Sequence, residues 1–324
     1  MSAIQQEKDM SDIKLPYKLI PFMKYRYFGF LFSFIVTGLC IFSIVTKGFN
    51  WGLDFTGGTV IETTFSQPVN LAEIRTLLKQ NGYESALVQT TGSQKELMIR
   101  LPASAGDMSL GNKIMDLVHR DLDANAIIKS VEFVGPNVGE ELTQGAIWAT
   151  LATLGMLLLY VGTRFEIRLA IGGILALFHD VLVTVGLFSF LQIEIDLTFV
   201  AAILSVVGYS LNDSIVVFDR VRENFSKIRR VTSIEIIDIS LSQTLSRTLM
   251  TSITTLFVVL ALFLFGGPTI HSFSLALLIG IGFGTYSSIY VAIGVALQLG
   301  LDREHMIKPV VEKEGADQQS FIDY

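Results

Sequence analysis

Six long apolar runs constrain this chain more than any other feature. They cover approximately Tyr27–Thr46, Leu142–Gly162, Leu169–Leu191, Leu197–Phe218, Leu245–Phe265 and Phe273–Leu299. Each holds roughly the 20 residues a helix needs to cross about 30 Å of hydrocarbon. Composition agrees. Of 324 residues, 51% are hydrophobic and 17% charged, whereas a soluble domain carries about 25% charged residues. The first run is too long for a secretory leader, whose apolar core is about 7–15 residues, and no small-residue cleavage site follows it. It reads as a retained membrane helix.

Lys and Arg in the short loops predict the orientation. The N-terminal tail carries Lys8, Lys14, Lys18, Lys24 and Arg26, and the loop after the second run carries Arg164 and Arg168. Arg220, Arg222, Lys227, Arg229 and Arg230 follow the fourth run, and Arg303, Lys308 and Lys313 follow the sixth. The loops 192–196 and 266–272 contain neither residue type. The expected division is a cytoplasmic tail over 1–26, a first membrane helix over 27–46 and an external α+β domain over 47–141. Membrane helices two to six then occupy 142–299, and a cytoplasmic tail occupies 300–324.

The external segment has soluble patterning. Thr59–Phe65 alternates and is β-rich, so it predicts a strand. Asn70 is placed to cap a helix over Leu71–Asn81, with Gly82 as its stop. Ala86–Thr91 and Glu96–Leu101 predict two strands joined by a turn at Gly92–Gln94. Ser109–Leu122 predicts an amphipathic helix and Ile127–Val134 a last strand. The order βαββαβ is that of a ferredoxin-like split unit. It serves either as a plain scaffold or as a surface that touches an exported substrate.

Chemistry is concentrated in four of the membrane runs. Asp213 lies six residues before Asp219, about 9 Å inside the inner boundary at about 1.5 Å per residue. A carboxylate there costs at least about 2.5–3.5 kcal/mol on insertion scales. Ser205, Gly208, Tyr209, Asn212 and Asp213 share a helix face, and that small, polar face is expected to look into the bundle. Ile203, Val207, Leu211, Ile215 and Phe218 form the other side, expected to meet lipid or packed helices. Thr244, Arg247, Thr248, Thr251 and Thr255 recur at helical spacing, with Arg247 at a depth comparable to Asp213. Gly280, Gly284 and Ser288 form a small-residue stripe that permits close helix approach. His179 and Asp180 fall near mid-membrane. Each feature has a plainer reading: an ion pair that locks Asp213 to Arg247, an Arg247 that snorkels to the interface, an Asp180 that hydrogen-bonds across the bundle, a packed His179, and stripes that only pack.

Several classes of chemistry find no support in the pattern. Cys40 is the only cysteine, which excludes an intrachain disulfide and a cysteine metal site. The four histidines, His119, His179, His271 and His305, have no ligand spacing, so no metal and no cofactor is expected. There is no phosphate-binding loop, HExxH or nucleophile elbow. An enzyme is not indicated. If the chain converts energy, the available source is an ion gradient, of protons or of sodium, acting on carboxylates. Neutralising Asp213 would weaken its pull on Arg247 and bias a two-state bundle.

Four motifs carry a family resemblance. Gly52-Leu-Asp-Phe-Thr-Gly-Gly-Thr59 follows the first run, with Gly52, Asp54, Gly57 and Gly58 as its marked residues. Val134-Gly-Pro-Asn-Val-Gly-Glu-Glu-Leu142 precedes the second, with Gly135, Pro136 and Gly139. Ala176-Leu-Phe-His-Asp-Val181 and Gly208-Tyr-Ser-Leu-Asn-Asp-Ser-Ile-Val-Val-Phe-Asp-Arg220 lie in the third and fourth. In this order they resemble the SecD/SecF family over about residues 20–305. Length, six spans and one small external domain resemble its SecF branch rather than SecD.

The resemblance implies a six-helix bundle of the resistance-nodulation-division (RND) type in the bacterial inner membrane. It implies a SecD partner and work with the SecYEG channel, indirectly the SecA motor, YajC and exported unfolded polypeptides. It implies that proton movement drives late steps of protein export, with Asp213 and Arg247 in the proton pathway. Asn212, Asp180, His179 and Thr251 are candidate supporting residues. A further carboxylate of the pathway would lie in SecD. The alternatives are an RND-type solute or lipid exporter subunit and a non-transducing scaffold of the Sec channel.

Overall fold

The structure, a computed structural model, describes residues 19–90, 93–102, 110–229 and 231–306, with only the backbone of Pro268 and His305. Lys8, Lys14, Lys18, Arg230, Lys308 and Lys313 lie outside these residues. So do Thr91 and Gly92 of the expected hairpin, Ser109 of the expected helix and the tail after Ile307.

Among the described residues, six helical segments are long and apolar enough to cross a membrane. They are α1 (Arg26–Lys47, preceded by a 3-10 turn over Phe22–Tyr25), α5 (Pro136–Arg164), α6 (Ile167–Leu191), α7 (Leu197–Lys227), α8 (Ser233–Phe265) and a last segment from His271 to Gln298. That last segment is not one regular helix. It comprises α9 (His271–Ser287), a π-helical turn over Ser288–Ala292 and α10 (Ile293–Gln298). A short α11 (Arg303–Met306) follows.

Hydropathy placed the fourth run's end at Phe218 and the fifth run's start at Leu245. Both helices continue further. The loop between them is only 228–232, because α7 runs to Lys227 and α8 opens at a capping box in which Thr232 and Glu235 satisfy each other's backbone. That box stands in the sequence as Thr-Ser-Ile-Glu and marks a helix start independently of hydropathy.

Between α1 and α5 the chain forms β1 (Asn50–Trp51), α2 (Leu53–Thr56), β2 (Gly58–Thr64), α3 (Leu71–Gln80), β3 (Leu87–Thr90), β4 (Glu96–Leu101), α4 (Leu110–Asp121) and β5 (Ile127–Val134). β2 to β5 make an antiparallel sheet in the order β3-β4-β2-β5. One sheet face and the apolar sides of α3 and α4 enclose a separate core around Ile61, Ile74, Leu78, Leu97, Ile99, Ile114 and Val118. Asn70 caps α3 by accepting from the Ala72 N–H at 3.0 Å. Gly82, at φ 90°, follows that helix.

In the bundle, α7 packs most extensively on α9 and α1 on α6. Small residues permit these approaches. A Cβ added at Gly280 would strike Val206, and one at Gly186 would strike Cys40. α5 and α8 leave most of their apolar surface uncovered. A two-stranded parallel ladder ties β1 to β6 (Glu194–Ile195), in the turn between α6 and α7.

Candidate functional site

Asp213 is buried to 2% exposure on α7. Its Oδ2, like Ser214 Oγ and Thr248 Oγ1, is buried without a hydrogen-bond partner among the described residues. Arg247 and Ser252 of α8 lie within electrostatic reach of the carboxylate. Ser252 Oγ is paired at 2.8 Å with Thr285 Oγ1 on α9, and Tyr209 Oη donates to it at 3.5 Å. A carboxylate, hydroxyls from three helices and an arginine thus converge on one level.

Asp213 and Arg247 form no ion pair. Among the described residues, those of the bundle are Arg164–Asp219, Arg168–Glu166, His179–Asp180, Arg220–Glu223 and Lys227–Glu223. The helix phase explains the separation. Thr244, Thr248 and Ser252 face inward from α8, whereas Arg247 and Thr251 are exposed. Thr251 Oγ1 returns its proton to the Arg247 and Thr248 carbonyls.

The expected facing of α7 is only partly right. Asp213 is buried and Tyr209 half-buried, but Ser205, Gly208 and Asn212 are exposed. Ile203, Val207, Leu211 and Phe218 are buried in helix contacts, one of the two surroundings expected for them. Spacing alone groups residues on a face and does not tell which face a neighbouring helix covers.

A second buried carboxylate, Asp180 of α6, is fully enclosed. Ser210 Oγ of α7 donates to its Oδ2 at 2.6 Å and Ser287 Oγ of α9 at 2.7 Å, while His179 Nδ1 lies 3.0 Å from Oδ1. The carboxylate joins three helices. His179 Nε2 is buried with no partner, its ring 6.4 Å from those of Phe283 and Tyr286.

The glycine-rich segments meet each other. Gly52 N–H donates to the Ile195 carbonyl at 2.7 Å, and a Cβ at Gly52 would sit 2.8 Å from that oxygen. Asp54 Oδ2 accepts from the Leu197 N–H at 2.8 Å. It thereby caps α7 beside Asp196, which accepts from Phe199 N–H at 2.7 Å. Gly57, at φ 62°, closes α2. Gly139 of α5 admits α2 closely, since its Cβ position is 3.3 Å from Gly57 N and 3.4 Å from the Asp54 carbonyl. Pro136 occupies the first turn of α5, and Gly135 precedes it with no atom near its Cβ position. These residues build the junction between the sheet domain and the N-terminal end of α7.

Sequence reasoning missed three contacts. Arg100 of β4 pairs with Glu194, which also accepts from the Leu53 N–H at 3.3 Å. Burial pushes the Glu194 carboxyl above the usual range, against the pull of Arg100. Asp238 of α8 accepts from the Met23 N–H at 2.9 Å and fastens the N-terminal turn. Asn224 bridges Ser240 and Gln243, each at 2.8 Å. Of these residues only Asp238, a carboxylate among isoleucines, carries a local signal that could have marked it.

The fold and its buried polar residues define a polytopic membrane protein with one α+β domain between its first two membrane helices. Residues 114–302 match the family model described as protein export membrane protein SecD/SecF, C-terminal, and residues 42–69 match the SecD/SecF GG motif. The protein translocase subunit SecF of Haemophilus influenzae is 64% identical over 95% of this chain and 94% of its own length. That of Escherichia coli O157:H7 is 49% identical over 98% of this chain and 99% of its own. The crystal structure of SecDF from Thermus thermophilus, called a translocon-associated membrane protein, aligns with TM-score 0.78 and 36% identity. That alignment covers 87% of this chain and 39% of the longer SecDF chain. The chain belongs to the SecD/SecF family of protein-export membrane proteins, and its bundle is of the RND type.

Proposed function

We propose that this chain is a subunit of the Sec export machinery that, with SecD, couples proton movement to late stages of protein translocation. The observation that carries the reading is Asp213, a carboxylate at membrane depth with one oxygen unsatisfied. Buried ionisable groups in membranes mark ion pathways far more often than they add stability. Asp213 takes up and releases the proton and Arg247 supplies the opposing charge. Asn212, Asp180, His179 and Thr251 support them. The exposed stripe of Ser205, Gly208, Asn212, Arg247 and Thr251 is the surface on which SecD completes the pathway. This is transport chemistry rather than enzymatic catalysis.

A change at Asp213 travels along α7. Its outer end is capped by Asp54 as well as Asp196, so a shift of the helix pulls on α2 and on the sheet domain. That domain is ferredoxin-like by its βαββαβ order and sheet order. It holds or releases an emerging unfolded polypeptide and hinders its return. SecYEG, SecA and YajC are the further partners. The membrane is the bacterial inner membrane, with both termini cytoplasmic and residues about 47–141 periplasmic, as the Lys and Arg distribution indicates. The domain division is the one set out from the sequence.

The test is export of a periplasmic reporter in cells depleted of the native protein and complemented with Asp213→Asn. Normal expression with loss of gradient-dependent export supports the reading. Unimpaired export removes Asp213 from the mechanism and leaves a scaffold.

A further inference from the structure

Asp180 is built into the bundle differently from Asp213. Where Asp213 has an unsatisfied oxygen, Asp180 has a hydrogen-bond partner at both carboxylate oxygens. Its hydrogen-bonding neighbours lie on α6, α7 and α9, and the titratable Tyr286 of α9 has its ring 6.4 Å from that of His179. α6 itself supplies His179, whose Nδ1 faces Oδ1, and Thr184, which donates to the Asp180 carbonyl at 2.8 Å. α7 supplies Ser210, three residues before Asp213, and α9 supplies Ser287. Among the described residues, no Lys or Arg pairs with Asp180; Arg247, on α8, is exposed.

Hydroxyls donate or accept as their protons rotate. Such a shell satisfies the carboxylate in either charge state. Ser287 has its second position already in place, because its Oγ lies 2.7 Å from Asp180 Oδ2 and 3.1 Å from the Gly284 carbonyl. An independent irregularity begins at the next residue. The π turn Ser288–Ala292 interrupts the helix there, and such turns recur at functional sites. The turn is pressed onto α6 so closely that a Cβ at Gly172 would strike the Ala292 carbonyl.

We propose that Asp180 is a second proton-exchanging carboxylate of this chain, and that Ser287 passes its charge state to the π turn between α9 and α10. In the ionised state Ser210 and Ser287 both donate to Oδ2. When a proton binds Oδ2, the carboxyl O–H donates to Ser210 Oγ, whose own O–H turns to the Val206 carbonyl one helical turn back. Ser287 then turns its own proton to the Gly284 carbonyl. One proton is gained, the two hydrogen bonds to Oδ2 are given up for others, and no covalent bond to hydrogen is broken. The tie between α6 and α9 is released immediately before the irregular turn. His179 keeps its Nδ1–H on Oδ1 in both states. This deepens the proton-coupling reading and rests on it.

The test is difference infrared spectroscopy of the full chain in lipid nanodiscs, taken between two proton concentrations. The wild type is expected to show protonated-carboxyl bands, one of which is lost in Asp180→Asn and a different one in Asp213→Asn. Ser287→Ala leaves the carboxyl in place and is expected to shift the frequency of the Asp180 band. It should also speed amide hydrogen exchange over 288–293. An unchanged band set in Asp180→Asn overturns the proposal and makes Asp180 a permanent structural charge. Should Asp180→Asn fail to fold, an unmoved spectrum and unmoved exchange in Ser287→Ala overturn it equally. Loss of the Asp213 band alone refutes this inference while leaving the proton-coupling reading intact.

Discussion

Arg100 and Glu194 join the sheet domain to the helix bundle. The guanidinium reaches from β4 to the carboxylate in the turn between α6 and α7, and donates to the Trp51 carbonyl at 2.6 Å. The side chains are 14% and 27% exposed, so the pair is partly shielded from solvent screening.

This pair makes the junction pH-sensitive. Burial raises the Glu194 carboxyl above its ordinary value, so the folded state favours the protonated form more than the unfolded chain does. Its contribution to stability is fully present below the unfolded value, about 4.3. It is lost as pH rises through the higher folded value. Glu194→Gln is expected to flatten that part of the stability profile. Arg100→Ala removes the opposing charge and should destabilise the purified chain by about 1.5–3 kcal/mol near neutrality. Thermal unfolding in detergent from acid to neutral pH reads both effects, and superimposable profiles would count against the pair.

Asp213→Asn should not weaken the fold. The carboxylate has a buried oxygen with no hydrogen-bond partner, and a nearly isosteric amide removes an expensive buried charge. Thermal stability within about 1 kcal/mol of the wild type, or above it, is expected. A clear loss of stability would mark Asp213 as structural.

Two glycines should respond in opposite ways. At Gly172 an added methyl meets the Ala292 backbone, which cannot rotate away. Gly172→Ala should therefore cost about 1–3 kcal/mol or more. Gly208 has nothing within 4 Å of its Cβ position, so Gly208→Leu should leave the lone chain's melting temperature unchanged and reduce co-purification of SecD. Retained SecD would remove this stripe of α7 from the interface.

Asp54→Ala strips one acceptor from the start of α7, at the Leu197 N–H. A loss of about 1 kcal/mol is expected, with Asp54→Asn close to wild type. Amide exchange at Leu197 is the direct measurement, and an unaltered rate would show that Asp196 caps the helix alone.

Much of this architecture was legible in the sequence. The six runs are length signals, and the alternation of Thr59–Phe65 and the cap at Asn70 are local periodicities, so both survive folding unchanged. Facing was less legible. Ser205, Gly208 and Asn212 share a helix face with Asp213 by spacing, yet α8 and α9 leave them uncovered. The matched depth of Asp213 and Arg247 likewise says nothing about rotation around α8, on which Arg247 is exposed. Contacts such as Arg100 with Glu194 and Met23 with Asp238 join distant parts of the chain, and no local pattern announces them. The π turn after Ser287 has no mark in its own stretch of sequence.

The short ladder between β1 and β6 also sets an order of events in synthesis. Leu53 and Glu194, joined beside it, are 141 residues apart. The sheet domain has all its strands and helices once Val134 has emerged, and its core needs nothing from later in the chain. Its seat on the bundle does not exist until the turn after α6 has been made. During that interval the sheet domain is carried by α1 and α5, and the first membrane helix lacks α6, the neighbour on which it packs most extensively.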